Sequence, residues 1–255
     1  MRVTRQTVLP LAGALAFIAV WWGVSLLMEP TTRRLFLPPP SDVVAQAVYI
    51  FRTEPMGVHM GVTLEEVAVA FLAAVFLGIP AGLVMGWYRD VNASLNGLIA
   101  CFNAMPRIVF MPLMMIWFGL GIPSKIALGF LTAVPVVVLT TLSGVVSVDK
   151  ALVTVSRSFG ASNRQVFWTV VLPASVPPIM AGLRLGMGLA IVGVIVGELF
   201  AARSGLGYLI NIYGNTFQTA SMLVIVILVA LIATAILVPL QRIEARFQRW
   251  QPPLA

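Results

Sequence analysis

The chain has 255 residues, of which 60% are hydrophobic and 10% charged, whereas a soluble domain carries about 25% charged side chains. This composition excludes an ordinary soluble protein and describes a polytopic membrane protein with little chain left for a separate soluble domain. The formal charge of +7 is held mainly by short segments flanking apolar runs, a pattern that sets topology and does not call for nucleic acid.

A hydrocarbon core roughly 30 Å thick needs about 20 mostly apolar residues per helix, and six stretches qualify. The first, 8–28, follows Arg2 and Arg5 and has no A-x-A-like cleavage site after it, so it is expected to be a retained helix. In "RRLFLPPPSDVVAQAVYIFR" three prolines bar a helix, Ser41 or Asp42 can cap a new one, and Val43, Ala47 and Ile50 fall on one face. A short amphipathic surface helix is expected there. The second span, 62–87, holds Gly78, Pro80, Gly82 and Gly86, and Glu65 and Glu66 at its start mark an interface. The third, 95–118, is interrupted by "MPRIVFMPL", where Pro106 and Pro112 flank Arg107. A broken helix is tolerated only inside protein or along a water-filled cavity. "GLGIPSK" reads as a tight turn before the fourth span, 126–148. The fifth, 179–200, and sixth, 220–240, lead to the basic tail "QRIEARFQRW".

With the N-terminus inside, the cytoplasmic side holds nine cations, Arg2, Arg5, Arg89, Lys150, Arg157, Arg164, Arg242, Arg246 and Arg249. The outer side then holds five, Arg33, Arg34, Arg52, Lys125 and Arg203. The excess places both termini of this multi-pass protein in the cytoplasm. A single cysteine, Cys101, excludes an internal disulfide and reads as a small buried residue. His59, the one histidine, is too little for a histidine-based metal site or a Ser/His/Asp triad and reads as an interfacial loop residue.

Between spans four and five the chain turns polar over 149–175. Asp149 can cap a short helix through Ser158, and Gly160 suits the left-handed position that ends helices. Ser162 with Gln165 three residues on forms a capping box, and Leu172 before Pro173 marks the expected end of a second helix of about ten residues. Such a helix exposes Val166, Phe167, Trp168, Val170 and Val171, and needs something to bury them against. It either packs beneath its own bundle or receives a soluble subunit.

"SRSFGASNRQVFWTVVLPASVPPIMAGLRLGMGLA" resembles the EAA loop of binding-protein-dependent ABC permeases. "LFLPPPSDV", "MPLMMIWFGLGIPSK", "GLRLGMGLAIVGVIVGELFAARSGLGYLI" and Trp250 are similar to the branch importing taurine, alkanesulfonates, nitrate and pyrimidine precursors. Where the family pattern has Glu-Ala-Ala, this chain has Thr154, Val155 and Ser156; Arg107 stands where relatives have an apolar residue or proline.

The resemblance implies an all-α fold, a single permease domain over 1–255 with the six-helix architecture of a type I importer, and no catalytic residues or metal of its own. It implies a homodimer, two ATP-binding cassette subunits that bring ATP and Mg, and an extracytoplasmic solute-binding protein. The residues it assigns to the ATPase contact are Ser156, Arg157, Phe159, Gly160, Ala161, Ser162, Arg164, Val166, Phe167, Leu172 and Pro173. Arg157 and Arg164 would offer charge; Phe159, Val166 and Phe167 would fill a groove. The sequence itself lacks a phosphate-binding loop: "GLGIPSKI" has Ser124 for the second glycine and Ile126 for the hydroxyl residue.

Charges inside spans are costly and face an interior or a cavity, which makes Arg107, Arg184 and Glu198, with Met111, candidates for a substrate path. Arg184 is also placed to snorkel to the surface, and Glu198 to pair with Arg203. An arginine suits an anionic substrate such as a sulfonate, taurine or nitrate; a pyrimidine or thiamine precursor or an aromatic acid is the alternative within the family. Gly- and Pro-broken helices also fit a secondary transporter, but no clear inverted repeat is visible, and no cluster of His, Asp or Cys suits a membrane enzyme.

Overall fold

The computed structural model describes residues 2–248; Arg249 and Trp250 lie outside the described residues. Among these the chain is helical throughout: α1 (Arg2–Leu27), α2 (Pro30–Phe36), α3 (Pro40–Thr53), α4 (Met56–Trp87), α5 (Arg89–Ala104), α6 (Met111–Phe118), α7 (Ile122–Val146), α8 (Lys150–Ser158), α9 (Asn163–Val166), α10 (Leu172–Ala201), α11 (Leu206–Asn215) and α12 (Thr219–Gln248). Four helices are long and apolar enough to cross a membrane: α4, α7, the run Asn163–Ala201 and α12. The pair α5 and α6 makes a fifth, bent by 92° where Pro106 and a short 3-10 turn, Arg107–Phe110, break the ladder. The shorter apolar stretch Ala12–Leu27 of α1 completes a set compatible with six.

Helices α4, α7 and α10 form the centre. In lipid there is little hydrophobic gain from helix pairing, so contact depends on close backbone approach. Gly78, Gly82 and Gly86 recur every fourth residue and put one edge of α4 against Val137, Thr141 and Val145 of α7. A Cβ on Gly82 would lie 2.6 Å from the Val138 carbonyl oxygen, and one on Gly193 of α10 3.0 Å from that of Leu128. Neither neighbour is a side chain that can swing away. At the periphery α1 hangs on the proline segment, with Trp21 Nε1 donating to Pro38 O (3.1 Å) and Ser25 Oγ to Leu37 O (2.8 Å). Helix α3 buries Val43 and Ile50 as its periodicity predicts, but starts at Pro40 without a side-chain cap.

Several local expectations change. Cys101 is exposed on α5. His59 is buried within α4, which begins six residues before the expected start of the span and carries the adjacent glutamates inside the helix. There Glu65 faces outward and Glu66 inward. Lys125 is no outer-loop charge but a buried side chain of α7, so the topology balance becomes nine against four. The short helices α2 and α11 carry no strong local signal and were not expected.

The second helix of the polar interlude does not end at Leu172. It runs without a break from Asn163 to Ala201, 39 residues. The turn Phe167–Val171 widens to π-helical geometry, with Leu172 N donating to Phe167 O, and this wider turn carries the chain past Pro173. Ser175 Oγ then takes the Val171 carbonyl (2.7 Å).

Candidate coupling surface and transport path

The interlude is built by local chemistry. Asp149 caps α8, its carboxylate accepting from Ala151 N at 2.8 Å. Three hydroxyl residues, Thr154, Ser156 and Ser158, donate back to carbonyls one turn earlier. The helix ends in a Schellman motif: Ala161 N donates to Ser156 O (3.1 Å), Gly160 N to Arg157 O (2.9 Å), and Gly160 takes φ +80°. A left-handed residue there favours glycine. Ser162 and Gln165 form the reciprocal capping box that opens α9, and Arg157 Nη2 reaches Asn163 Oδ1 across the turn (3.2 Å). The helix starts of this hinge are capped by side chains, Asp149 and the Ser162–Gln165 box, and the α8 end is closed by backbone N–H groups.

The apolar face divides between the two readings left open above. Val166 and Val171 are buried with Val145 beneath the bundle, packed by Leu83, Trp87, Val153 and Phe167. Phe167 meets Trp87 edge to face, ring centroids 5.2 Å apart. Val166 therefore does not present a surface anchor, and Phe167 is half-buried; the helix i, i+5 pair faces its own α4 and α7. What remains outward is Phe159, 89% exposed, and Trp168, 57% exposed, with Arg157, Ser162 and Arg164 around them. Phe159 and Trp168 are the aromatics that this turn leaves exposed. Leu172 is partly buried and Pro173 exposed, one helical turn beyond.

The candidate path residues are not gathered at one place. Arg107 folds back on its own helix, Nη2 donating to Asn103 O and Oδ1, while its Nε is buried without a hydrogen bond. Met111 is fully buried with Leu128 and Ala201, and so belongs to packing and not to an open path. Arg184 neither snorkels free nor stands alone: its Nε holds Glu244 Oε2 of α12 at 2.5 Å. It lines a cavity of about 670 Å³ with Gly188, Thr234 and Gln241 between α10 and α12. Glu198 does not pair with Arg203. It accepts from Thr63 Oγ1 (2.7 Å) and from Gly207 N (2.7 Å).

Glu198 opens onto a cluster that local sequence reading misses. Lys125 Nζ and Glu66 Oε1 form a buried ion pair at 2.6 Å. Thr63 Oγ1 also accepts from Leu206 N (2.9 Å), and His59 Nδ1 accepts from Gly205 N (3.1 Å). Together these groups tie α4, α7 and α10 to the turn that opens α11. The available signal was charge inside apolar stretches, Glu66 and Lys125, which had been assigned to interfaces.

Comparison with known proteins now has a geometry to attach to. The family described as "Binding-protein-dependent transport system inner membrane component" matches residues 74–250, and the chain belongs to that family. The chain is 34% identical over 253 residues to the taurine transport system permease protein TauC of Escherichia coli (strain K12), covering 97% of this chain and 91% of that one. It is 31% identical over 235 residues to the putative aliphatic sulfonates transport permease protein SsuC of the same organism, covering 92% and 89%. It is 28% identical over 191 residues to the formylaminopyrimidine transport permease protein ThiX of Halalkalibacterium halodurans, covering 75% of each. Among solved structures, an inward-facing conformation of the MetNI methionine ABC transporter superposes with a TM-score of 0.66 at 20% identity, over 76% of this chain and 99% of that chain. The fold is that of a type I ABC importer permease, and the protein is a non-catalytic, multi-pass permease subunit, with ATP hydrolysis placed in another polypeptide.

Proposed function

We propose that this chain is the permease of an importer for a small anionic solute, a sulfonate or taurine, delivered by an extracytoplasmic binding protein and driven by a separate ATPase that supplies ATP and Mg. Identity of a third along nearly the whole length to a taurine permease, and a similar figure for a sulfonate permease, support the substrate class. Two copies pair, each engaging one ATPase subunit through residues 149–175, with both termini on the cytoplasmic side.

The observation that carries the coupling role is the continuity of the hinge with the bundle. The exposed Phe159 turn leads through the capping box directly into the 39-residue run that ends at Glu198 and Ala201. Movement of an ATPase surface against Phe159, Arg157 and Arg164 is passed to α10 as a rigid-body displacement. Arg184, tied to Glu244, and Arg107, tied to Asn103, are cations placed along the path, where a sulfonate exchanges for their present partners. Co-expression with an ATPase and a binding protein of the matching class, followed by reconstitution into liposomes, tests the reading. ATP-dependent uptake of labelled taurine or an alkanesulfonate is expected; uptake that ignores ATP and collapses with the ion gradient contradicts it.

A further inference from the structure

Trp87 closes α4 and lines two cavities. One, about 500 Å³, runs between the end of α4 and the start of the coupling helix, lined by Leu83, Val84, Trp87, Tyr88, Arg164 and Phe167. The other, about 390 Å³, also touches Trp87 and is lined by Arg89, Asn92 and Lys150. Twenty-one residues separate Trp87 from the buried Glu66, about 31 Å at 1.5 Å per residue. Trp87 is the last residue of a helix long enough to cross a membrane, the position where aromatic belts are found. The cavities are apolar toward the bundle, where Val84 lies on the exposed face of α4. Toward the aqueous end they carry Arg89, Lys150 and Arg164, none of which makes an ion pair among the described residues.

We propose that these neighbouring cavities bind an acidic phospholipid: its phosphate between Arg89 and Lys150, its glycerol and first methylenes against Trp87 and Leu83. The opening along Val84 is continuous with the lipid-facing surface of α4, so the occupant enters from the bilayer and not from solution. Arg89 and Lys150 in one cavity, with Arg164 in its neighbour, complement an anionic headgroup and leave a zwitterionic one with an unmatched choline. Because Phe167 and Arg164 belong to the coupling helix, a seated lipid braces that helix against α4. The proposal rests on the preceding reading only in placing this end of α4 on the cytoplasmic side.

Native mass spectrometry of the purified full chain in detergent, titrated with phosphatidylglycerol or phosphatidylcholine of matched acyl chains, measures the site directly. At least about tenfold tighter retention of phosphatidylglycerol is expected. It should fall to the phosphatidylcholine level in Arg89→Gln/Lys150→Gln. Phosphatidylglycerol with brominated chains should quench the wild-type fluorescence more than that of Trp87→Phe. Equal retention of both lipids by the wild type overturns the proposal, as does displacement of phosphatidylglycerol by millimolar inorganic phosphate, which would mark a soluble-anion site. Retention in detergent is blind to orientation, whereas cysteine labelling at position 159 in cells reports it, so the two readings fail separately.

Discussion

Lys125 and Glu66 hold each other in a part of the bundle that admits almost no water. Desolvating two charges costs more than a surface pair returns, and removing one partner strands the other. Lys125→Met should therefore destabilise the protein by about 3–5 kcal/mol, read as a large loss of detergent-resistant monodisperse material on heating. The double variant Lys125→Met/Glu66→Leu should recover most of that loss; a double variant as unstable as the single would contradict the pairing. Gly205 is the complementary case. It takes φ +116°, and a Cβ there would lie 2.0 Å from Glu198 Oε1, so Gly205→Ala should displace the turn from the Glu198 carboxylate and cut stability by more than the about 1 kcal/mol of the backbone term alone. Thermal melts of Gly205→Ala beside Gly119→Ala, whose glycine also has positive φ but open space around it, separate the two contributions. Arg107 makes a functional prediction: Arg107→Ala should change uptake rate or substrate preference with the protein still folded. Unchanged kinetics with every anion tested would return it to a bond with Asn103.

The hinge was legible from sequence because every signal in it is local. Asp149, Gly160, Ser162 and Gln165 each act within three residues of their own position, and each does in the structure what its residue type predicts. The end at Leu172 was misread for a related reason. A proline after an apolar residue signals a stop, but the signal is cancelled by the π-helical turn just upstream, whose geometry depends on Val166 and Val171 being held against α4 and α7. The cluster of His59, Thr63, Glu66, Lys125 and Glu198 was illegible because its bonds join residues as much as 146 positions apart. No periodicity in one helix shows that its glutamate meets a lysine on another. At the scale of the element, the prediction concerns Pro173. Pro173→Ala restores a donor to the turn and should let the π-helical segment relax toward α-helix, rotating Phe159 and Arg164 relative to α10. ATPase stimulation should drop while the amount of inserted protein holds; unaltered coupling would mean the π-helical turn has no part in it.

At the scale of the whole molecule, one helix joins the surface offered to a partner with the buried polar cluster at the far end of the bundle. The run Asn163–Ala201 starts at the capping box and ends at the Glu198 contacts, with the Arg184–Glu244 tie to α12 between them. A family whose members are membrane components of binding-protein-dependent systems needs such a connection, because the energy enters through another polypeptide. The most direct test is a charge placed on the anchor itself. Phe159→Asp alters a side chain that is 89% exposed, so insertion, folding and homodimer formation should be unchanged. Co-purification of the ATPase should be lost, and ATP-dependent uptake in proteoliposomes should fall at least about tenfold, as for a central aromatic anchor. Full uptake with the ATPase still bound would show that the hinge is not where the energy enters.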